Sequence, residues 1–375
     1  MFGTVLISIC TIMHIYLFWR IAAVPFLRQK LSRKTLIIIG IVLWLIFTSG
    51  RIIGHGGTGV FAQYLEFIGM TWMAVLFLTF TPLLLVDIFT LFGFLLPRFS
   101  STLRSCAMVI GIFLSVIAIY QGLRPPIIEK YEVNLAGLPD DLDGMTLVAI
   151  SDMHLGSQLG EQWLAARIAQ VTALRPDIVV LLGDIFEGHG APADQLLKTF
   201  KQLSAPFGVW AVPGNHEFYG GNKTSMFKEA NVKLLNNSSF EVRPGLILAG
   251  VEDLTTWYRK GQKGDPISQT LTDRPAGATI LLSHTPWQSN KIAATGVGLM
   301  LSGHTHGGQI WPFDYLVQNR YPLLQGLYRV NDMTVIVCRG TGTWGPRMRL
   351  WQPGEILMLT LRKNFGDENL SQNYQ

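Results

Sequence analysis

Four apolar stretches within the first 124 residues constrain this chain more than any other feature. Residues 2–19 carry no formal charge, and 35–50 lie between Lys34 and Arg51. Residues 67–86 are followed by Asp87 and a further apolar run to residue 96, and 105–123 are again uncharged. A helix needs about 20 apolar residues to cross the hydrocarbon core of a bilayer. Surface helices of soluble domains keep a charged side toward water, which these stretches lack. Each is therefore expected to span a membrane. The first has neither a basic segment before it nor a small-residue cleavage site after it, so it is expected to be retained rather than removed as a signal peptide.

Charge divides the chain at the same place. Residues 1–124 hold nine Lys/Arg against Glu66 and Asp87, a balance of +7, whereas 125–375 hold 21 against 23 acids, or −2. The net +5 thus belongs to the apolar third. It reads as a topology signal and not as a nucleic-acid-binding face, so no nucleic acid is expected as a partner. The first loop carries Arg20, Arg28, Lys30, Arg33 and Lys34, the second only Arg51, and the third Arg98 and Arg104. Positive loops stay cytoplasmic. The expectation is a multi-pass protein of the cytoplasmic membrane, with everything after Leu123 periplasmic or extracellular. Asp87 and Glu66 read as interfacial acids, and His14 and His55 receive no role. Three cysteines exclude a disulfide scaffold, and because Cys10 and Cys106 fall in apolar runs, leaving Cys338 alone in the polar part, cysteine usage is silent on redox compartment.

Arg124-Pro125-Pro126 ends the fourth stretch and opens an extended linker. The expected division is a membrane domain at 1–124 and a second domain at 125–375, long enough for a substantial core. Short β-type runs recur there at 130–135, 146–151, 177–182, 208–212, 246–251, 278–283, 297–302, 333–339 and 355–361. An amphipathic helix at 161–174 carries Leu164, Ile168, Val171 and Leu174 on one face. This pattern predicts an α/β domain in which two packed sheets form a β-sandwich flanked by helices.

Polar residues gather just past five of those runs. In order they are Asp152-Met153-His154, Gly183-Asp184, Pro213-Gly214-Asn215-His216-Glu217, His284, and Gly303-His304-Thr305-His306-Gly307-Gly308-Gln309. Each alone is an ordinary loop. Together they occupy the C-terminal ends of strands, where open α/β sheets place their ligands. Carboxylate, imidazole and amide oxygen suit hard and borderline divalent ions, and the absence of thiols excludes a Cys-type structural zinc. Seven candidate ligands exceed one ion and suit two that share a carboxylate, about 3.5–4 Å apart. Such a pair acidifies a bridging water and clamps the oxygens of an in-line phosphoryl displacement.

These residues resemble the calcineurin-like metallophosphoesterase family, whose blocks read D-x-H, G-D, G-N-H-[DE], H and G-H-x-H. Here the blocks are DMH, GD, GNHE, H and GHTH, without substitution at a ligand, over roughly residues 130–361. The resemblance implies that Asp152, His154, Asp184 and His306 hold one ion, that Asp184 bridges, and that Asn215, His284 and His304 complete the second. It implies that His216 is a non-ligand that binds the phosphoryl group and protonates the leaving oxygen. GHTHGGQ and RGTGTWGP look like the exported or membrane-anchored bacterial branch, with Gly307 and Gly308 letting backbone approach substrate. Where that branch often has an acid three residues after the bridging Asp, this chain has Glu187, read as a neutral exchange. His189 reads as a solvated loop residue. Arg339, Arg347 and Arg349 read as surface cations, with a phosphate or lipid headgroup as the alternative.

The expected function is metal-dependent phosphoester hydrolysis with two divalent ions, whether Mn2+, Zn2+ or Fe. The expected substrate is a phosphodiester or pyrophosphate in a membrane-associated or lipid-linked molecule such as a lipid-linked sugar nucleotide, because the short linker tethers the site near the bilayer. A membrane-anchored metal-binding sensor or scaffold without activity is the alternative, but a degenerate site would be expected to lose ligands. A transporter would need more intramembrane polar residues than Asp87 and Glu66.

Overall fold

The computed structural model describes residues 2–57, 59–187, 194–219 and 223–363. The chain forms two units, one comprising Met1–Arg124 with Trp344–Trp351, the other Pro125–Thr343 and the chain from Gln352 onward.

The first unit contains four long helices, α1 (Phe2–Ile21), α2 (Arg33–Ser49), α3 (Val60–Phe89) and α4 (Ser100–Leu123), with a short helical turn at Pro25–Lys30 between the first two. Each is long and apolar enough to cross a membrane. The second stretch, short in sequence, gains length because α2 runs on through a π turn at Gly50–Gly54. At 30 residues, α3 rises about 45 Å and takes in both Glu66 and Asp87. Close helix approach comes from small residues: a Cβ on Gly111 of α4 would stand 2.6 Å from Thr79 Cα of α3.

The polar residues of this unit find partners inside it. Asp87 is fully buried between Arg104 Nε at 2.8 Å and Arg20 Nε at 2.5 Å, and also accepts from the Tyr16 hydroxyl. His55 Nδ1 meets Glu66 Oε1 at 2.9 Å, and His14 Nε2 meets the Gly40 carbonyl at 2.9 Å. Segment Trp344–Trp351 joins α4 through backbone: Arg349 N donates to Ala118 O at 2.9 Å and Trp351 N to Gln121 Oε1 at 2.8 Å. Arg349 is fully buried there, which corrects its reading as a surface cation.

The second unit contains two six-stranded sheets. The strands are β1 (Ile127–Leu135), β2 (Thr146–Ile150), β3 (Ile178–Leu181), β4 (Val209–Ala211), β5 (Lys233–Leu234), β6 (Ser238–Arg243), β7 (Leu246–Gly250), β8 (Ala278–Leu282), β9 (Leu299–Ser302), β10 (Gly326–Val330), β11 (Met333–Val337) and β12 (Glu355–Lys363). Their order is β1-β12-β2-β3-β4-β5 in one sheet and β10-β11-β9-β8-β7-β6 in the other. β2, β3 and β4 run parallel, as do β7, β8 and β9. These strands are buried on both faces, so they read as nearly continuous apolar runs, broken in β8 and β9 by Thr279 and Ser302.

Alternation sorts their side chains into layers. Leu147, Ala149, Ile178 and Val180 turn into the seam and meet Leu246, Leu248, Ile280 and Leu301 of the other sheet. Val148, Ile150, Val179 and Leu181 face outward beneath α5 (Glu161–Ala173), which contributes Leu164, Ile168 and Val171. On the far side Ala249, Leu281 and Met300 are covered by Leu254, Ile267 and Ile292 from short helices. The result is the helix-flanked two-sheet sandwich expected from the run pattern.

Candidate metal centre

Asp152 and His154 follow β2, Asp184 follows β3, Asn215 and His216 follow β4, His284 follows β8, and His304 and His306 follow β9. Burying the strands fixes where their C-terminal ends emerge, and the loops there bring the predicted residues together. Three sets of donor atoms each lie within 4.8 Å of one another: Asp152, His154 and His306; His154, Asp184 and His216; and Asp184, His284 and His304.

The spacings fit ions. Two donors about 2.1 Å from one ion, at tetrahedral to octahedral angles, stand about 3.0–3.4 Å apart. His154 Nε2 and His306 Nε2 are 3.1 Å apart, and His306 Nε2 lies 3.3 Å from Asp152 Oδ1. His284 Nε2 lies 3.2 Å from Asp184 Oδ2 and 3.1 Å from His304 Nδ1. Tautomers sharpen the point. His284 Nδ1 faces the Leu182 carbonyl at 2.7 Å, which can only accept, so Nδ1 carries a proton. A neutral His284 then aims its Nε2 lone pair at the Asp184 carboxylate, an arrangement that needs a cation or a second proton between them. Asn215 adds an orphan: its Nδ2 donates to the Tyr219 hydroxyl at 2.9 Å, whereas its buried Oδ1 has no hydrogen-bond partner. The donor set therefore fits divalent ions.

Electrostatics agree. Burial opposes charge on His284, yet the Asp184 carboxylate beside it pushes the imidazole well above its usual range. Burial likewise opposes charge on Asp184, but His284 and His216 hold it well below the usual carboxylate range. For His216 burial is again outweighed, by Asp184 and Glu187, and its pKa is pushed up to about 9. Asp184 and Glu187 are thus held charged by the imidazoles around them, whereas burial pushes Asp152 and Glu217 up.

Backbone strain concentrates at the same residues. Asp152, His154, Asp184, His304 and His306 all have φ between 47° and 72°, a region that costs L-residues on the order of 1–3 kcal/mol each. Hydrogen bonds between loops hold it: Asp152 N donates to Gly183 O and His154 N to Asp184 O, both at 3.0 Å. Gly303 is required by close approach, since a Cβ there would strike Ser151 Oγ and Asp152 Oδ2.

Two carboxylates that sequence reasoning left without a role organise the centre. Glu187 accepts from His154 Nδ1 and His216 Nδ1, each at 3.0 Å, so one side chain fixes two imidazoles with Nε2 inward. Its position three residues after Asp184 was the available signal. Glu217 is fully buried and accepts from the backbone of Gly214 at 2.6 Å, Asp184 at 3.0 Å, Ile185 at 2.8 Å and Phe186 at 3.0 Å, which ties the loops after β3 and β4. The Tyr321 hydroxyl meets His304 Nε2 at 2.8 Å and leaves Nδ1 for the centre. Orienting partners of this kind typically contribute about 10–100-fold to metal affinity or activity. Glu187→Gln is accordingly expected to weaken metal retention by about that factor in a chelator competition, and an unchanged affinity would contradict the orienting role.

His154 and His216 stand equally far from Asp184, each Nε2 4.0 Å from Oδ2. The distances thus treat the predicted ligand and the predicted acid alike. Gly307 and Gly308 are explained by packing: Cβ atoms there would strike Gln325 Oε1 and Asp314 respectively. Arg339 is committed to Glu129 at 2.9 Å and to Glu355 at 2.5 Å, which corrects its surface reading. Arg347 is half-buried, and His189 lies outside the described residues.

The family model for calcineurin-like phosphoesterases matches residues 145–308. An uncharacterized metallophosphoesterase of Campylobacter jejuni is 32% identical over 261 residues, covering 68% of each chain. A transmembrane protein with metallophosphoesterase domain of Danio rerio is 31% identical over 271 residues, which are 68% of this chain and 62% of that protein. An uncharacterized metallophosphoesterase of Helicobacter pylori is 34% identical over 248 residues, 64% of this chain and 65% of that one. The chain therefore spans about two thirds of the length of these relatives.

Proposed function

Because the chain belongs to the calcineurin-like metallophosphoesterase family, we propose that it is a membrane-anchored, metal-dependent phosphoester hydrolase acting on a phosphodiester or pyrophosphate. The observation that carries the proposal is that Asp184 belongs to two donor sets, one with His284 and His304, where it stands 3.2 Å from His284 Nε2, and one with His154 and His216, 4.0 Å from each. Asp152, His154, Asp184 and His306 would hold one ion, and Asp184, Asn215, His284 and His304 the other. Bound divalent ions, Mn2+, Zn2+ or Fe by ligand type, would polarise phosphoryl oxygens and acidify water.

The chain's own residues do the rest. Glu187 holds the His216 Nδ1 proton, which aims Nε2 at the phosphoryl group and lets it pass a proton to the leaving oxygen. Residues 1–124, together with the segment Trp344–Trp351, serve as the membrane domain, and the rest of 125–375 as the catalytic one. The Pro125-Pro126 linker is short, so tethering favours a substrate presented by the bilayer, such as a lipid or lipid-linked sugar nucleotide. The test is hydrolysis by the purified, metal-loaded chain across monoesters, diesters and lipid pyrophosphates. Diester or pyrophosphate turnover is expected. Two bound ions without turnover of any ester would favour a sensor or scaffold.

Topology follows from loop charge. Arg28, Lys30, Arg33 and Lys34 between the first and second apolar stretches, against Arg51 alone between the second and third, support a catalytic domain outside the cytoplasmic membrane. A reporter fused after Gln375 is expected to behave as periplasmic or extracellular, and cytoplasmic behaviour would overturn this orientation.

A further inference from the structure

The chain leaves the second unit after Thr343 and re-enters it at Gln352, and Trp344–Trp351 between them belongs to the helical unit. Its backbone lies against the last turns of α4, bonded from Arg349 N to Ala118 O at 2.9 Å and from Trp351 N to Gln121 Oε1 at 2.8 Å. A Cβ on Gly122 would stand 2.5 Å from Arg347 O and 2.6 Å from Met348 Cα, so this contact tolerates only glycine. A Cβ on Gly345 would meet Met70 Cε of α3 at 3.0 Å. The segment is thereby held where α4 ends, the depth at which an apolar helix leaves hydrocarbon and meets lipid headgroups.

The side chains at this end suit that depth. Phe113, Val116, Tyr120 and Leu123 are exposed at helical spacing and form an apolar stripe that runs out to it. Trp344 and Trp351 are exposed as well, and with Tyr120 they supply the amphipathic rings that collect at headgroup level. Arg124, at the C-terminus of α4, lies 5.6 Å over the Tyr120 ring. Arg347 is half-buried. Its Nε is buried without a hydrogen-bond partner, and no ion pair reaches its guanidinium among the described residues. Burial alone pushes its pKa down, whereas at Arg339 burial is outweighed by the Glu355 carboxylate. A desolvated cation without an anion is costly. The helical unit has no carboxylate to spare. Its two acids are Glu66, which meets His55, and Asp87, which meets Arg20 and Arg104. The missing anion must come from outside the unit.

We propose that Arg347, with Arg124, binds the phosphate of an anionic phospholipid headgroup, and that this lipid pins Trp344–Trp351 to the helical unit. A guanidinium fork takes two phosphate oxygens at once, and basic pockets at the ends of membrane helices bind headgroups by the same chemistry. The site uses no residue of the metal centre, so it holds whether or not the chain hydrolyses an ester.

The test titrates the full chain, stripped of lipid in detergent, with phosphatidylglycerol and follows bound lipid by native mass spectrometry. Diacylglycerol, which has the tails without the phosphate, is the reference. The wild type is expected to show a saturable site for phosphatidylglycerol that diacylglycerol does not fill. Arg347→Ala is expected to weaken that site by about tenfold or more, the usual worth of a charge-assisted hydrogen bond. Arg347→Lys should recover part of the loss, since charge without the fork remains, and Arg124→Ala should cost a smaller factor. Arg28→Ala, which removes an exposed cation of the first loop, should leave the affinity unchanged. Equal binding of the two lipids, or wild-type affinity in Arg347→Ala, would overturn the site. Should Arg347→Ala fail to fold, Arg347→Gln and the diacylglycerol reference decide the matter in the same way. Displacement of the lipid by inorganic phosphate would assign the site to free phosphate instead. Loss of binding on chelation of the metals would place the lipid at the metal centre, and either result would contradict the proposal.

Discussion

Asp184→Asn is expected to empty both ion positions and to reduce hydrolysis to the level left without ions. Asp184 Oδ2 is the carboxylate oxygen within 3.2 Å of His284 Nε2 and 4.0 Å of His154 Nε2, so it reaches both histidine groups. Asparagine keeps the volume, and its amide can still accept the hydrogen bond that the His216 backbone donates to Oδ1 at 2.8 Å. What it removes is the charge that buried imidazoles and cations share. His284→Ala is expected to act differently, emptying mainly the position it shares with His304 and leaving about one ion behind. Elemental analysis of the two purified variants, with hydrolysis measured on the same samples, checks the pair. An Asp184→Asn protein that retains both ions would remove Asp184 from its bridging role.

His216→Ala is expected to retain two ions and lose about 10²–10⁴-fold in kcat on an alkyl phosphodiester, the usual worth of a general acid. The loss should shrink on a nitrophenyl ester, whose oxygen leaves without needing a proton. Glu187 holds Nδ1 of His216 and of His154 at the same 3.0 Å, so geometry alone does not separate acid from ligand, and metal content does. Equal losses on the two esters would indicate phosphate binding without proton transfer. Loss of an ion would make His216 a ligand.

The sandwich was readable in sequence wherever strands are buried on both faces. Runs such as Ile178–Leu181 and Ala278–Leu282 are buried at every position and apolar throughout except at Thr279, because each side meets a core. β5, β6 and β10 were not readable. They sit at sheet edges, and β6 mixes exposed Phe240 and Glu241 with polar neighbours, so burial imposes no pattern. The ends of α3 were obscured for another reason. Glu66 and Asp87 look like boundary residues until His55, Arg20 and Arg104 satisfy their charge inside the helical unit.

The centre divides in the same way. Residues whose chemistry is local, such as the Asp and His that follow apolar strands, were visible as a set. Residues whose role is to join loops were not. Glu187 looked like a neutral exchange because nothing nearby in sequence says that two histidines 33 and 29 residues away will meet it. Arg339 looked like a surface cation because its partner Glu129 lies 210 residues away. Motifs record which atoms do the chemistry, while the orienting hydrogen bonds depend on tertiary contacts.

The central claim is that this chain holds two ions on one shared carboxylate. Elemental analysis of the purified wild-type chain, prepared under metal-replete conditions and freed of loosely bound metal, tests it most directly. Two ions per chain are expected, and one or fewer would contradict the shared centre.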